Sequence, residues 1–206
     1  ALYLNTMTHL REHWSNELEK RGYREYPSFN EEAEKGFTSY NHPQVYRDSM
    51  ILAVKSGFKI IDRIVLIEPG GKERLLSIPG FMNSGRIDLH GEKIIWDEYM
   101  PDIRWANKSS SVLKEHNIET GATRVLHWDK RYSSAVWSSS GDTIVAVETT
   151  LQNTFNLIFI SALDGGVLAR VPSPGNAQLL EPEWIDSSDR IAVIGLDQDG
   201  KKLLMY

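Results

Sequence analysis

Residues 90–96, with the sequence His-Gly-Glu-Lys-Ile-Ile-Trp, recur as residues 140–146, Ser-Gly-Asp-Thr-Ile-Val-Ala. A third and looser copy, Ser-Asp-Arg-Ile-Ala-Val, occupies residues 188–193. The matching first isoleucines of the three copies are 50 and 47 residues apart. Each copy places turn-forming residues before a β-branched run, which predicts a strand that begins at the same point of each repeat.

A second landmark follows the same period. Three glycine turns centre on Gly70, Gly121 and Gly165, which are 51 and 44 residues apart. Between the landmarks, short β-branched or aromatic runs alternate with clusters of Gly, Asn, Asp, Ser and Pro, so each repeat holds about four strands. A period of about 40 to 50 residues with four strands is typical of β-propeller blades. Because a single blade has two apolar faces, blades must stack to bury them.

The sequence therefore predicts an all-β fold for residues 40–206, a partial and open β-propeller of about three and a half to four four-stranded blades. The predicted blades cover residues 40–80, 81–127, 128–172 and 173–206, the last of them truncated. Closed propellers have typically about four to eight blades. We expect an open arc whose end faces are covered by further blades or by a neighbouring molecule, so that self-association through the open edges follows.

Residues 1–39 are predicted to form an N-terminal amphipathic α-helix and a connector. The helix carries one apolar stripe at steps of four, three, four and four residues: Tyr3, Met7, Leu10, Trp14 and Leu18. Lys20, Arg21 and Gly22 form the expected carboxyl-terminal stop. The acidic cluster at 31–34 predicts one short helical turn within the connector.

Composition excludes several classes of function. Twenty-three Lys and Arg against 28 Asp and Glu give a net charge of −5, so no basic field is available for nucleic acid. The apolar runs are too short for a transmembrane segment. The absence of cysteine excludes disulfides, thiol catalysis and cysteine zinc sites. No motif in the sequence predicts a cofactor.

Two motifs suggest a metal, and both have a simpler interpretation. His9, Glu12 and His13 match the H-x-x-E-H order of inverted zinc peptidases. Helical geometry places His9 and Glu12 far from the apolar stripe, and no helix follows to supply a third ligand, so we reject a zinc site there. Residues 197–200, Asp-Gln-Asp-Gly, begin like a calcium loop but lack its later ligands, and a β-hairpin turn explains them better. No G-x-S-x-G nucleophile motif is present.

Six charged or amphipathic residues fall at predicted strand ends, where a propeller places its loops and funnel. They are Glu98, Arg104, Trp105, Arg131, Tyr132 and Glu148. One interpretation is a binding surface, since Arg, Trp and Tyr dominate binding energies. The other is bracing between blades, with either arginine paired to either glutamate. The sequence leaves both interpretations open.

Residues 137–146, Trp-Ser-Ser-Ser-Gly-Asp-Thr-Ile-Val-Ala, resemble the W-S-P-D-G-K-x-I-A-F repeat of TolB-like propellers, with serines in place of the proline and aspartate. Residues 182–192 form a looser copy. A more specific likeness comes from four segments in order: Trp96-Asp97-Glu98-Tyr99, Asp102-Ile103-Arg104-Trp105, Arg131-Tyr132 and Ala146-Val147-Glu148. This order is similar to large bacterial envelope proteins in which a TolB-like propeller follows a zinc-peptidase-like domain.

The resemblance implies a non-catalytic propeller in the periplasm or at the cell surface. Such a module presents loops and a central funnel to a protein or peptide, and its helix docks on an upstream domain of the same polypeptide. The alternative is an accessory, substrate-presenting domain of a larger peptidase, zinc-peptidase-like or prolyl-oligopeptidase-like, whose catalytic part lies outside this chain. Neither alternative places catalytic residues in the chain.

Overall fold

The computed structural model of the protein describes residues 2–22, 29, 37–105, 108–185 and 190–206. The predicted acidic turn at 31–34 and the start of the third repeat copy at 188–189 lie outside these residues. Helix α1 (Leu2–Lys20) precedes all the strands. Its apolar stripe is exposed, from 38% at Met7 to 74% at Tyr3.

Within the described ranges, fifteen strands form four antiparallel sheets, each following chain order from its first strand to its last. The first sheet contains β1 (Thr38–Tyr46), β2 (Met50–Gly57), β3 (Ile60–Ile67) and β4 (Glu73–Ser77). The second contains β5 (Ile87–His90), β6 (Lys93–Pro101), β7 (Ser109–Asn117) and β8 (Thr123–Lys130). The third contains β9 (Tyr132–Trp137), β10 (Thr143–Thr149), β11 (Phe155–Ser161) and β12 (Val167–Pro172). After a 3₁₀ turn (Pro174–Asn176), the last contains β13 (Gln178–Trp184), β14 (Ile191–Asp197) and β15 (Gly200–Met205).

The predicted fold class is confirmed: the chain is a four-blade β-propeller with an N-terminal helix. We number the blades 1 to 4 in chain order. Blade 4 has three strands among the described residues. The extensive contacts between blades join neighbours in chain order, and within the described ranges none of them joins blade 1 to blade 4.

Strand β10, the second of blade 3, is covered on both faces, which explains its continuous apolar run. In β10, Ile144 and Ala146 pack toward blade 2, whereas Val145 and Val147 pack toward blade 4. All four side chains are at most 1% exposed. A strand buried on both faces does not show the apolar–polar alternation of a half-exposed sheet.

Three apolar clusters join successive blades. Trp96 of blade 2 packs with Leu66 of blade 1 in the first cluster. Trp137 of the repeat motif lies in the second, between blades 2 and 3, and Ile191 joins blade 4 to blade 3 in the third. The tryptophan of the repeat motif therefore packs between blades.

Every blade has two edges where its strands turn. We call the edge at which the first strand begins and the second ends the upper edge, and the opposite one the lower edge. The predicted glycine turns at Gly70, Gly121 and Gly165 lie on the lower edge with φ of 90°, 70° and 76°, values that favour glycine. The predicted hairpin at 197–200 is also confirmed, since Asp197 pairs with Gly200 at a two-residue turn.

A third landmark appears only in the structure. A residue with left-handed backbone lies in, or just before, the first strand of every blade: His42, Gly85, Ser134 and Glu181, with φ between 50° and 69°. In blades 1, 3 and 4 this residue lies at a β-bulge, where the pairing register shifts. Bulges redirect neighbouring groups at functional and structural positions. At Ser134 the redirected group is a backbone N–H that meets Asp97 of the preceding blade.

Candidate functional site

The structure brings the six predicted site residues to the upper edge of blades 2 and 3. Glu98 lies near the end of β6, and Arg104 and Trp105 follow in the loop to β7. Arg131 and Tyr132 open β9, and Glu148 lies near the end of β10. The six residues nevertheless divide by burial into two groups with different chemistry.

Glu98 and Glu148 are buried ion-pair partners. Glu98 is 6% exposed and accepts hydrogen bonds from Lys114 Nζ and Trp96 Nε1, both at 2.7 Å. Glu148 is 9% exposed and receives both Nε and Nη2 of Arg170, at 2.6 and 2.9 Å. Bidentate pairing of this kind fixes geometry. These contacts brace single blades, and the expected pairing with Arg104 or Arg131 is wrong because each glutamate has a cation on its own sheet.

Tyr132 also belongs to the core. Its side chain is 1% exposed and lies in the cluster between blades 2 and 3. Burial, followed by the charge of Glu148, raises the pKa of its hydroxyl above the ordinary value. A direct contact between a ligand and Glu98, Tyr132 or Glu148 is therefore not expected, and the binding interpretation keeps only Arg104, Trp105 and Arg131.

The loop that presents Arg104 and Trp105 is organised by Asp102. Its carboxylate accepts the backbone N–H groups of Arg104 at 2.8 Å and Trp105 at 3.1 Å. Lys108 Nζ lies 3.1 Å from the same carboxylate. These contacts hold the pKa of the Asp102 carboxyl below its ordinary value, and the hydrogen bond from the Arg104 N–H has the largest effect. An aspartate whose side chain accepts the N–H groups of the next residues fixes the backbone of its turn. The side chains of Arg104 and Trp105 are exposed on this turn.

Those side chains line an open groove of about 620 Å³. Ile103 is fully exposed, Trp105 is 67% exposed, and Trp128 on β8 contributes a further indole at 61%. The remaining wall includes Met100, Pro101 and Ser110. We call this feature the apolar groove. Neighbouring exposed apolar side chains of this size mark interaction surfaces more often than isolated ones do.

A smaller and more polar cavity of about 220 Å³ adjoins the groove, and Ser110 lines both. We call it the polar cavity. It lies between blades 2 and 3, where β6 ends, β7 and β9 begin, and β10 ends. Its wall consists of Asn83, Tyr99, Ser109, Ser110, Ser111, Arg131, Ser133 and Thr149. The Tyr99 ring is held edge-on to Phe81, with ring centres 6.1 Å apart.

Sequence reasoning missed Trp128, Tyr99 and the serines at 109–111. Trp128 follows Leu126 and His127 within a predicted strand, a pattern that suggests core rather than surface. Serines carry no specific signal in a single sequence. Their grouping depends on the meeting of two blades, which the repeat period alone does not specify.

Two aspartates of blade 2, the buried Asp97 and the half-buried Asp88, accept hydrogen bonds from the backbone of blade 3. Asp97 is fully buried and accepts the Ser84 N–H at 3.1 Å and the Ser134 N–H at 3.0 Å, as well as the Ser84 hydroxyl. Asp88 accepts the Trp137 N–H at 2.7 Å. Burial raises the pKa of both carboxyls above the ordinary value, although these hydrogen bonds oppose it. Both aspartates therefore connect blade 2 to blade 3 through backbone donors.

The residues of the rejected zinc motif lie on α1. His9 and Glu12 have side chains 90% and 67% exposed, with Nδ1 and Oε2 3.9 Å apart. Among the residues that the structure describes, no three His, Asp or Glu side chains are grouped to hold a metal ion. No described helix is long and apolar enough to cross a bilayer.

Comparison with known proteins supports the architecture. No protein-family model matches the chain, and no curated protein is similar to it in sequence. A TolB-type protein of Agrobacterium tumefaciens superposes with a TM-score of 0.56 at 12% identity, covering 77% of this chain and 57% of that protein. What the two share is a propeller.

Two further structures extend the likeness. The β-propeller domain of the Trilobed protease from Pyrococcus furiosus, described as having an open velcro topology, gives a TM-score of 0.52 at 15% identity over 82% of this chain and 54% of that one. A gluconolactonase from Xanthomonas campestris gives 0.58 at 14% identity over 84% and 58%. This chain thus spans little more than half of each, and the three relatives differ in function, so the likeness concerns the fold.

Proposed function

We propose that the chain is a non-catalytic propeller module that binds a protein or peptide at its upper edge, through the apolar groove. The observation that carries this proposal is the exposure of two indoles, Trp105 and Trp128, on a loop and a strand that the fold holds in place. Truncation of buried interface aromatics typically costs about 2 kcal/mol or more, and Trp is enriched among such positions.

The shape of the surface favours a peptide over a small molecule. The groove is open and shallow, whereas sites for small ligands enclose most of the ligand surface. Its floor is fixed, since Asp102 orders the loop and Trp128 lies on a sheet. A rigid surface loses little entropy when it binds, so a short extended segment can gain affinity from a few anchors.

The proposal includes a location and a second contact. We place the module in the periplasm or at the cell surface of a bacterium, in agreement with the TolB-like architecture. The exposed apolar stripe of α1, which includes Trp14 (56% exposed), suits docking on an upstream domain of the same polypeptide. No nucleic acid is expected as a partner, given the net charge of −5.

Affinity selection from a random-sequence peptide library tests the proposal. The library contains short peptides with free carboxyl termini and, separately, with amidated termini, and enriched peptides are identified by mass spectrometry. We expect enrichment of peptides with aromatic or aliphatic residues. Trp105→Ala and Trp128→Ala should each weaken binding of the enriched peptides about 30-fold, which corresponds to about 2 kcal/mol.

Leu163→Ala is the matched control for these variants. Leu163 is 85% exposed on the lower edge, so its truncation removes a similar apolar contact from the opposite side. The melting temperatures of all three variants should stay close to that of the wild type, because the side chains are exposed. The proposal is wrong if no peptide is enriched from either library, or if Leu163→Ala weakens binding as much as the tryptophan variants.

A further inference from the structure

The polar cavity has the donors of an anion site and a positive charge at its wall. Arg131 anchors its guanidinium on Ser109: Nε donates to the Ser109 carbonyl oxygen at 3.1 Å and Nη2 to the hydroxyl at 3.3 Å. A guanidinium has five N–H groups in a fixed fork and is always charged. The N–H groups not used by Ser109 have no protein acceptor among the described residues, and Arg131 lines the cavity.

Hydroxyl and amide groups surround this cation. Within the part of the chain that the structure describes, the side chains of Asn83, Ser133 and Thr149 and the Tyr99 hydroxyl form no hydrogen bond to protein, and all four residues line the cavity. Ser111 is different. It is 5% exposed and uses its hydroxyl to join β8 to β9, accepting the Tyr132 N–H at 2.7 Å. The cavity therefore has several donors that a ligand can use.

The charges around the cavity favour a carboxylate. None of its described lining residues is acidic. The nearby glutamates are neutralised inside single blades, Glu98 by Lys114 and Glu148 by Arg170. Arg131 is thus the one charged side chain among the described residues that line the cavity. Its volume of about 220 Å³ has room for about seven waters at roughly 30 Å³ each, enough for a carboxylate and the atoms next to it.

We propose that Arg131 and the hydroxyls of the polar cavity bind a carboxylate of the peptide whose apolar side chains occupy the groove. The inference rests on the proposed function, because the two sites adjoin at the shared residue Ser110. We expect the C-terminal carboxylate of the peptide as the occupant, because the cavity adjoins the groove and holds little more than a carboxylate and the atoms next to it. An arginine fork binds a carboxylate through two parallel hydrogen bonds, with higher strength than neutral donors provide.

Paired peptides test the inference. The tightest peptide from the selection is compared by fluorescence anisotropy with its C-terminal amide and with versions in which each Asp or Glu becomes Asn or Gln. We expect amidation to weaken binding about tenfold or more, in line with a lost charged hydrogen bond. Arg131→Gln should weaken the parent peptide by a similar factor, and amidation should then have no further effect. If an acidic side chain of the peptide supplies the carboxylate instead, amidation should have little effect. The Asn or Gln version of that residue should then weaken binding to the wild type and have no further effect on binding to Arg131→Gln.

Two variants guard against trivial explanations. Arg47→Gln removes the same charge at the lower edge, where Arg47 is 52% exposed, and should change the affinity less than twofold. Thr149→Val removes one cavity hydroxyl without changing side-chain shape and should weaken binding a few-fold, with the melting temperature of each variant as the check on folding.

Some outcomes separate the inference from the proposed function. If binding depends on Trp105 and Trp128 but not on Arg131 or on any peptide carboxylate, the carboxylate site is wrong and the groove remains. If Arg47→Gln weakens binding as much as Arg131→Gln does, net charge explains the effect and the site is again wrong. If binding does not depend on the tryptophans, the groove itself is wrong.

Discussion

Asp97→Ala is expected to lower the free energy of unfolding by about 3–5 kcal/mol, measured by urea denaturation. The carboxylate is fully buried and satisfies three donors from Ser84 and Ser134. Each buried donor left without an acceptor costs about 1–3 kcal/mol. Because Ser134 belongs to the next blade, the loss also weakens the junction between blades 2 and 3.

The matched control is Asp62→Ala. Asp62 is an exposed aspartate on β3, and its replacement should change the unfolding free energy by less than about 0.5 kcal/mol. Equal effects of the two substitutions would contradict the role of Asp97 as a clamp between blades.

Asp97→Asn adds a test based on pH. Burial raises the pKa of Asp97 in the folded protein, so the stability that this group contributes is fully present below its unfolded pKa and is lost as pH rises through its folded pKa. Asparagine does not titrate. We therefore expect the stability of the wild type, relative to Asp97→Asn, to be highest at acid pH and to fall as pH rises toward neutral. A constant difference between the two proteins would contradict the raised pKa.

Trp96→Ala is expected to cost about 3–5 kcal/mol, the range for loss of a large aromatic side chain from a core. Trp96 is 1% exposed and packs in the cluster between blades 1 and 2, so its removal leaves a cavity in the junction. Its indole N–H also donates to Glu98, which keeps Lys114 as a second partner. Urea denaturation again provides the measurement.

Two other tryptophan substitutions separate the contributions at this position. Trp96→Phe keeps most of the apolar volume but removes the donor, and its expected cost is smaller than that of the alanine variant. Trp128→Ala removes an indole of the same size from the surface, and its effect should be below about 0.5 kcal/mol. A Trp128→Ala variant as unstable as Trp96→Ala would show that Trp128 is needed for folding, which would contradict its assignment to the apolar groove.

The repeat period was enough to predict the blades, for a physical reason. Stacked sheets need the same pattern of strands and turns in each unit, so Ile94 and Ile144 occur at equivalent positions of β6 and β10. Turn glycines such as Gly121 are equally readable, because a left-handed backbone restricts residue type. The left-handed residues in the first strands of the blades were not predictable. His42, Ser134 and Glu181 share a conformation but no side-chain chemistry.

The site was predictable only in part. The predicted strand ends placed the site residues at one edge of the blades, but they did not predict which of these residues are buried. Charged residues such as Glu98 and Glu148 look exposed until the cations that pair with them on other strands are known. Lys114 and Arg170 lie on other strands of the same sheets, 16 and 22 residues away. Such partners depend on strand register. Trp128 misleads in the opposite direction: an indole within a strand pattern suggests a buried core residue, whereas this side chain is exposed.

The central claim, that the upper edge of blades 2 and 3 is the binding face, is tested most directly by hydrogen–deuterium exchange. Exchange is measured on the protein alone and with the tightest selected peptide at saturation. The account predicts added protection confined to the segments that form the apolar groove and the polar cavity, residues 99–105, 108–111 and 128–134, together with Asn83 and Thr149. Protection found instead at the lower-edge turns, residues 47–49, 90–92 and 118–122, with none at the upper edge, would contradict it.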